Sequence, residues 1–244
     1  MPQSADQERT RYREEDGSEE RSAPGRAALF DVDGTLVDTN YLHTVAWWEA
    51  FRQAGHQVPM RDIHHAIGMG GDRLVGHLLG PDHDASQDDG ISAAHTALFA
   101  TWFDRLERFR GSRELLQALA GQGWNVVLAS SAHTRELDAM RAAVDAEAVL
   151  HDVTSSDDVK SSKPAPDLVQ RALDRAGAPA HRAVFVGDTV WDVQACVRAG
   201  VVCVGLCSGG IHPADLEAAG AAAVYRDCAD LLDHLAESPF GRVD

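Results

Sequence analysis

Two carboxylates stand one residue apart at the end of an apolar run, Ala28-Leu29-Phe30-Asp31-Val32-Asp33-Gly34-Thr35. Residues i and i+2 of a strand share a side, so Asp31 and Asp33 converge on one pocket beyond a buried strand. Anions held that close repel each other. A divalent cation or a shared proton is the usual reason for keeping them together. Further polar positions follow apolar strands or open helices: Ser130-Ser131, Lys163 before Pro164-Ala165-Pro166-Asp167, and Asp188 with Asp192.

Asp31, Asp33 and Asp188 in one pocket need a cation, and hard oxygen ligands of this kind suit Mg²⁺. Lys163 offers a fixed positive charge for a carboxylate or a phosphate oxygen. The chain has only two lysines, Lys160 and Lys163, among 22 basic residues. That rarity favours a working role for the one set before Pro164. Ser130, with Ser131 and the amides around it at a helix start, is suited to hydrogen-bond phosphate oxygens. Gly34 lets the backbone approach a bound group. Positioning and charge stabilisation of this type are what phosphoryl transfer requires.

The elements that must position these residues are legible from periodicity. A short continuous apolar run over 27–32 is expected for a central parallel strand. A helix begins near Tyr41, with Val45, Trp48, Ala50 and Phe51 read as one face. Helices and loops continue to about residue 108 with no convincing strand, as a helical insert. Strand and helix then alternate: strands over 126–129, 149–153, 184–186, 201–206 and 223–225, and helices over 112–120, 134–144, 168–176, 192–199, 214–219 and 231–236. Such alternation implies an α/β fold, a doubly wound parallel sheet with helices on both faces. Ligands bind beyond the carboxyl ends of its strands. Residues 1–25, charged in both signs and nearly free of aliphatics, read as a disordered tail.

Composition bounds the partners. With 38 acidic residues against 22 basic ones and a net charge of -16, nucleic acid and anionic membranes are unfavourable partners. No apolar run of about 18 residues is present, and the start of the chain lacks a secretory pattern. A soluble cytoplasmic protein is expected, with its four cysteines reduced. The histidines are read as solvated or capping, with His133 the one nearest substrate. One of Trp47 and Trp48 is expected in the core and the other at the cleft.

The motifs taken together resemble the haloacid dehalogenase-like superfamily, in the branch with a helical cap inserted after the first strand. Asp31-Val32-Asp33-Gly34-Thr35 is similar to its first motif and Val127-Leu128-Ala129-Ser130 to its second. Lys163 before Pro164 resembles the third, and Val186-Gly187-Asp188-Thr189-Val190-Trp191-Asp192 the fourth. The resemblance implies a Rossmann-like core over 26–39 and 109–244 and a small all-helical cap over 40–108. It implies Asp31 as nucleophile through an aspartyl-phosphate, and Asp33 as the proton carrier. Mg²⁺ would be held by Asp31, the Asp33 carbonyl, Asp188 and Asp192. Ser130 would bind the phosphoryl group and Lys163 would balance charge. Gly68-Met69-Gly70-Gly71-Asp72-Arg73 resembles the loop by which related caps reach the site, with Arg73 a substrate contact.

Within that family, retention of both Asp33 and Asp188 argues against a dehalogenase. A cap without lysine argues against a phosphonatase, which needs a Schiff base. The expected activity is Mg²⁺-dependent hydrolysis of a small phosphomonoester, a sugar phosphate or a phosphoglycolate-like compound. A β-phosphoglucomutase-type enzyme, using Arg61, Arg73 or Arg105 for a second phosphate, is the alternative. A non-catalytic binding protein is the remote one. Oligomeric state is not legible.

Overall fold

A computed structural model describes residues 25–243. The tail expected over 1–25 lies, but for its last residue, outside the described residues. Six strands, β1 (Arg26–Phe30), β2 (Trp124–Ala129), β3 (Asp152–Thr154), β4 (Ala183–Gly187), β5 (Val202–Leu206) and β6 (Ala223–Tyr225), form one sheet in the order β3-β2-β1-β4-β5-β6. All the pairings are parallel.

Strict alternation sorts the strand residues onto two cores. Ala28, Phe30, Val126, Leu128, Val184 and Val186 face one apolar cluster. Ala27, Leu29, Val127, Ala129, Ala183 and Phe185 face the other. The first is covered by α5 (Ser112–Gly121), α6 (Thr134–Val144) and α10 (Cys228–Asp233). The second is covered by α7 (Asp167–Ala176), α8 (Val190–Ala199) and α9 (Pro213–Ala219). Burial on both faces explains why the strands read as continuous apolar runs. The fold is the expected doubly wound parallel sheet.

The sheet order reverses direction at β1. Its chain continues to β2 on one side, while β4 lies on the other. The crevice between β1 and β4 is therefore the topological switch point, where open α/β sheets bind ligands. Register fixes what meets there. Phe30 pairs with Leu128 and with Val186, and the Asp31 amide donates to the Val186 carbonyl at 2.9 Å. Asp31, Ser130 and Asp188 thus leave three neighbouring strands at one level.

Between β1 and α5 lie four helices: α1 (Asn40–Gln53), α2 (Met60–Ala66), α3 (Gly71–Leu79) and α4 (Asp88–Phe99). They carry their own apolar cluster, built on Trp47, Phe51, Ile63, Leu74 and Ile91. The face of α1 differs from the sequence reading. Val45 is 40 % exposed and Trp48 half-buried, while Asn40, His43, Thr44, Trp47, Ala50 and Phe51 are buried. The stripe is turned by one residue because three polar side chains occupy it. Each has a partner: Asn40 with Asp188, His43 with Asp33, and Thr44 with the Asn40 carbonyl. A hydrophobicity pattern scores such positions as solvent-facing.

Candidate active site

Asp31 follows β1 directly and is 2 % exposed. The Lys163 Nζ donates to it at 2.5 Å and pairs with Asp192 at 2.7 Å. Asp192 is held in turn by the start of α8. Its Oδ2 accepts from the Thr189 amide at 3.1 Å and the Thr189 hydroxyl at 2.6 Å, a capping box. Capping and site roles therefore coincide in Asp192. Asp188 accepts from the Thr35 hydroxyl at 2.8 Å and the Asn40 amide at 2.7 Å. Carboxylate oxygens of Asp31, Asp188 and Asp192 lie within 4.8 Å of one another.

Three buried carboxylates stand together and one lysine pairs with only two of them, Asp31 and Asp192, and the protonation equilibria of Asp31 and Asp188 register the imbalance. Burial raises the Asp31 carboxyl to about 7 against the pull of Lys163, with Asp192 and Asp33 adding repulsion. Burial, then Asp31 and Asp192, push Asp188 well above the usual carboxylate range. A divalent cation among these oxygens would relieve both. The donor set is all hard oxygen and suits Mg²⁺. The residues present fit the ion.

Asp33 faces another way. It accepts from the Thr39 hydroxyl at 2.7 Å and lies 2.8 Å from His43 Nε2, with the Ser130 hydroxyl at 3.5 Å. Burial pushes its carboxyl up, but His43 outweighs that and holds it low. The reverse applies to His43, where burial lowers the imidazole and the Asp33 anion raises it above the ordinary value. His43 Nδ1 lies 3.0 Å from His95 Nε2. Burial and His43 keep His95 well below the ordinary histidine value, so His95 is the neutral acceptor of the chain. Phe99 stacks on His43, and Trp47 on His95. His43 and His95 were not among the residues singled out, and they are buried rather than solvated. The available signal was the spacing of Asn40 and His43, one helical turn apart immediately after the Asp33 loop.

Gly34 has φ 71°, and a Cβ there would collide with Asn40 and Asp188. Glycine is required at this position for both reasons. Its carbonyl accepts from Ser208 at 2.7 Å. Gly209 packs against the same carboxylate, and a Cβ on it would overlap Asp188. Gly209→Ala is expected to weaken Mg²⁺ binding by about tenfold or more by displacing Asp188. Titration of the metal against activity and calorimetric binding checks it.

A cavity of about 200 Å³ opens onto Asp31 and Asp33. Ser131, His133 and Lys160 line it; His133 pairs with Asp157 at 3.0 Å and Lys160 is exposed. Ser130 is fully buried, and its hydroxyl accepts from the Ala132 amide at 3.0 Å instead of capping α6. Trp47, not Trp48, stands on the cavity wall while also belonging to the helical core. Arg73 does not line the cavity. It is exposed, 3.9 Å from Asp72, and Asp72 takes the wall position. The helical layer touches the sheet layer by polar contacts: His64 to the Gly209 carbonyl at 2.9 Å and Trp191 to the His65 carbonyl at 2.9 Å. No helix among the described residues is long and apolar enough to cross a membrane.

Comparison with known proteins agrees with this geometry. A phosphoglycolate phosphatase of Pseudomonas putida is 28 % identical over 223 residues, 88 % of this chain and 82 % of its own length. A probable phosphatase, IndB, of Dickeya dadantii is 30 % identical over 77 % of this chain and 83 % of its own. The crystal structure of a hydrolase from Pseudomonas syringae superposes with a TM-score of 0.83 at 32 % identity, covering 87 % of this chain and 98 % of that one. The family model for haloacid dehalogenase-like hydrolases matches residues 26–200, so the chain belongs to that family of hydrolases and is a phosphatase within it.

Proposed function

We propose that the enzyme hydrolyses a small phosphomonoester through an aspartyl-phosphate on Asp31, with Mg²⁺ as cofactor. The observation that carries this reading is the buried set Asp31, Asp188 and Asp192 around one Lys163. The Asp31 carboxylate attacks phosphorus and displaces the ester oxygen, which takes up a proton. Water then attacks the acyl phosphate, loses a proton, and releases inorganic phosphate and Asp31. Bound Mg²⁺ would be held by Asp31, Asp188 and the Asp33 carbonyl, with Asp192 beside it, and supplies charge stabilisation for the phosphoryl oxygens. Lys163 favours the ionised form of Asp31 against the effect of burial. The mobile proton resides on the Asp33–His43 pair, 2.8 Å apart, which lends it to the leaving oxygen and recovers it from water. Ser131 and the amides before α6 hold the phosphoryl group, with Ser130 fixing their loop. Residues 40–108 act as a cap over the 26–39 and 109–244 core, opening for substrate and closing to exclude water.

Purified protein screened with Mg²⁺ against phosphorylated metabolites, including sugar phosphates and phosphoglycolate, is expected to release inorganic phosphate. Absence of release from every compound and from an aryl phosphate would refute the reading. Asp33→Asn is expected to slow turnover by about a hundredfold or more while Mg²⁺ affinity changes little, because the metal takes the main-chain carbonyl. Loss of Mg²⁺ binding in that variant would overturn the division of roles. Of the arginines a mutase could use for a second phosphate, Arg61, Arg73 and Arg105, none lines the cavity.

A further inference from the structure

The cavity wall carries two polar atoms that have no partner among the described residues. Glu136, in the first turn of α6, is 4 % exposed, and its Oε1 accepts no hydrogen bond. Ser131 Oγ, just ahead of the same helix, is likewise unpartnered. Both residues line the cavity. Thr96, on the same wall, hydrogen-bonds the Glu136 carboxylate; buried polar atoms are nearly always paired, and a bound group that supplies a second donor would complete Oε1.

The charges around it restrict what that group can be. Asp31, Asp33, Asp72 and Glu136 are the carboxylates on the lining. Lys160 is its one ammonium, and it is exposed; no guanidinium is present on it. His43 is committed to Asp33 and His133 to Asp157. With Asp31 and Asp33 assigned to the phosphoryl group, a second anion on the substrate would meet the buried Glu136; Asp72 is exposed and lies 3.9 Å from Arg73. Like charges at close range are strongly disfavoured and serve as rejection elements. Trp47, Ile67, Met69 and Leu74 complete the wall with apolar surface. A cavity of about 200 Å³ admits a leaving group of only a few carbons beside the phosphate.

Resting on the phosphatase reading above, we propose that Glu136 is a specificity-determining residue. It accepts a hydrogen bond from a hydroxyl or ammonium of the leaving group, so that phosphomonoesters of small polyols or amino alcohols are preferred over esters bearing a carboxylate or second phosphate. Ser131 serves the same group or the phosphoryl oxygens from the neighbouring position.

The test measures kcat/KM for phosphate release with Mg²⁺ from glycerol phosphate, phosphoethanolamine, phosphoglycolate, a pentose bisphosphate and an aryl phosphate. The wild type is expected to prefer glycerol phosphate or phosphoethanolamine over phosphoglycolate by at least about tenfold. Which of the two is better tells whether the donor is neutral or cationic. Glu136→Gln keeps the shape and removes the charge, and is expected to shrink that ratio by about tenfold, mainly through KM. A ratio taken on one preparation is insensitive to a reduced folded fraction. Equal or better turnover of phosphoglycolate or the bisphosphate by the wild type overturns the proposal, as does an unchanged ratio in Glu136→Gln. Hydrolysis of the aryl phosphate in those cases leaves the phosphatase reading standing. Failure to release phosphate from any ester removes that reading, and this inference with it.

Discussion

Asp31→Asn is expected to lower phosphate release by at least about a thousandfold and to leave a folded protein, if Asp31 is the nucleophile proposed above. An amide oxygen does not form the acyl phosphate, and no neighbouring carboxylate is free to replace Asp31. Asp33 is turned toward Thr39 and His43. Asp188 is tied to Thr35 and Asn40. Asp192 is pinned between Thr189 and Lys163. Single-turnover measurement should show no burst of product and no phosphorylated protein. A variant that kept more than a tenth of wild-type turnover would remove Asp31 from the nucleophile's role.

The same substitution has the opposite sign for stability in the metal-free protein. Burial raises the folded-state carboxyl of Asp31 to about 7, above the unfolded value of about 3.9. An acid shifted upward favours the folded state only while it is protonated. Its ionisation therefore destabilises the native protein progressively between about pH 4 and pH 7, and the penalty stands in full above that. Asparagine has no charge to bury. In EDTA at pH 8 the melting temperature of Asp31→Asn is expected to match or exceed the wild type's, with the difference vanishing toward pH 4. With Mg²⁺ present the order is expected to reverse, because a cation held in part by Asp31 would stabilise the wild type more. Thermal melts with and without metal at both pH values check it.

The core was legible because its strands are buried on both faces and interrupted by glycine and helix starts. Helix α6 runs over Thr134–Val144, the span expected from periodicity, and β6 over Ala223–Tyr225 likewise. β3 was placed too early, since its three residues are only partly apolar. The chemistry-bearing residues at strand ends were legible by type, and parallel register brings Asp31, Lys163, Asp188 and Asp192 together as a group. What stayed hidden shares one physical feature: polar residues buried because a partner distant in sequence satisfies them. Asn40 and His43 meet Asp188 and Asp33, and His95 meets His43. No local pattern distinguishes such a histidine from a solvated one. Glu136 was hidden for a different reason: it sits where a surface-facing first-turn acid is ordinary, and its burial against the cavity leaves no local mark in the sequence. Arg73 failed differently. Its loop does approach the core, with the Asp72 carboxylate 3.5 Å from the Ser162 amide, but the residue that faces the cavity is Asp72.

Lys163→Met is expected to lower both turnover and stability. The ammonium is fully buried, 2.5 Å from Asp31 and 2.7 Å from Asp192, and the thioether chain fills its space against Phe185 without supplying charge. Removing one partner of a buried ion pair destabilises by roughly 3–5 kcal/mol, because the remaining charge has lost its compensation. Here two carboxylates are orphaned beside a third. Burial lowers the Lys163 ammonium's affinity for its proton, but Asp192 and Asp31 outweigh that and raise it above the ordinary lysine value. A cation raised in this way contributes its stabilisation in full below about pH 10, so the loss is measurable at neutral pH. Lys160 offers no substitute, being exposed where Lys163 is fully buried between Asp31 and Asp192. If the defect is uncompensated negative charge, removing one carboxylate as well restores part of the stability. The double variant Asp31→Asn/Lys163→Met should therefore melt above Lys163→Met in EDTA while remaining inactive, a coupling of opposite sign for the two properties. Additive losses in the double variant would mean that Lys163 acts through packing and not through the charge it places between Asp31 and Asp192.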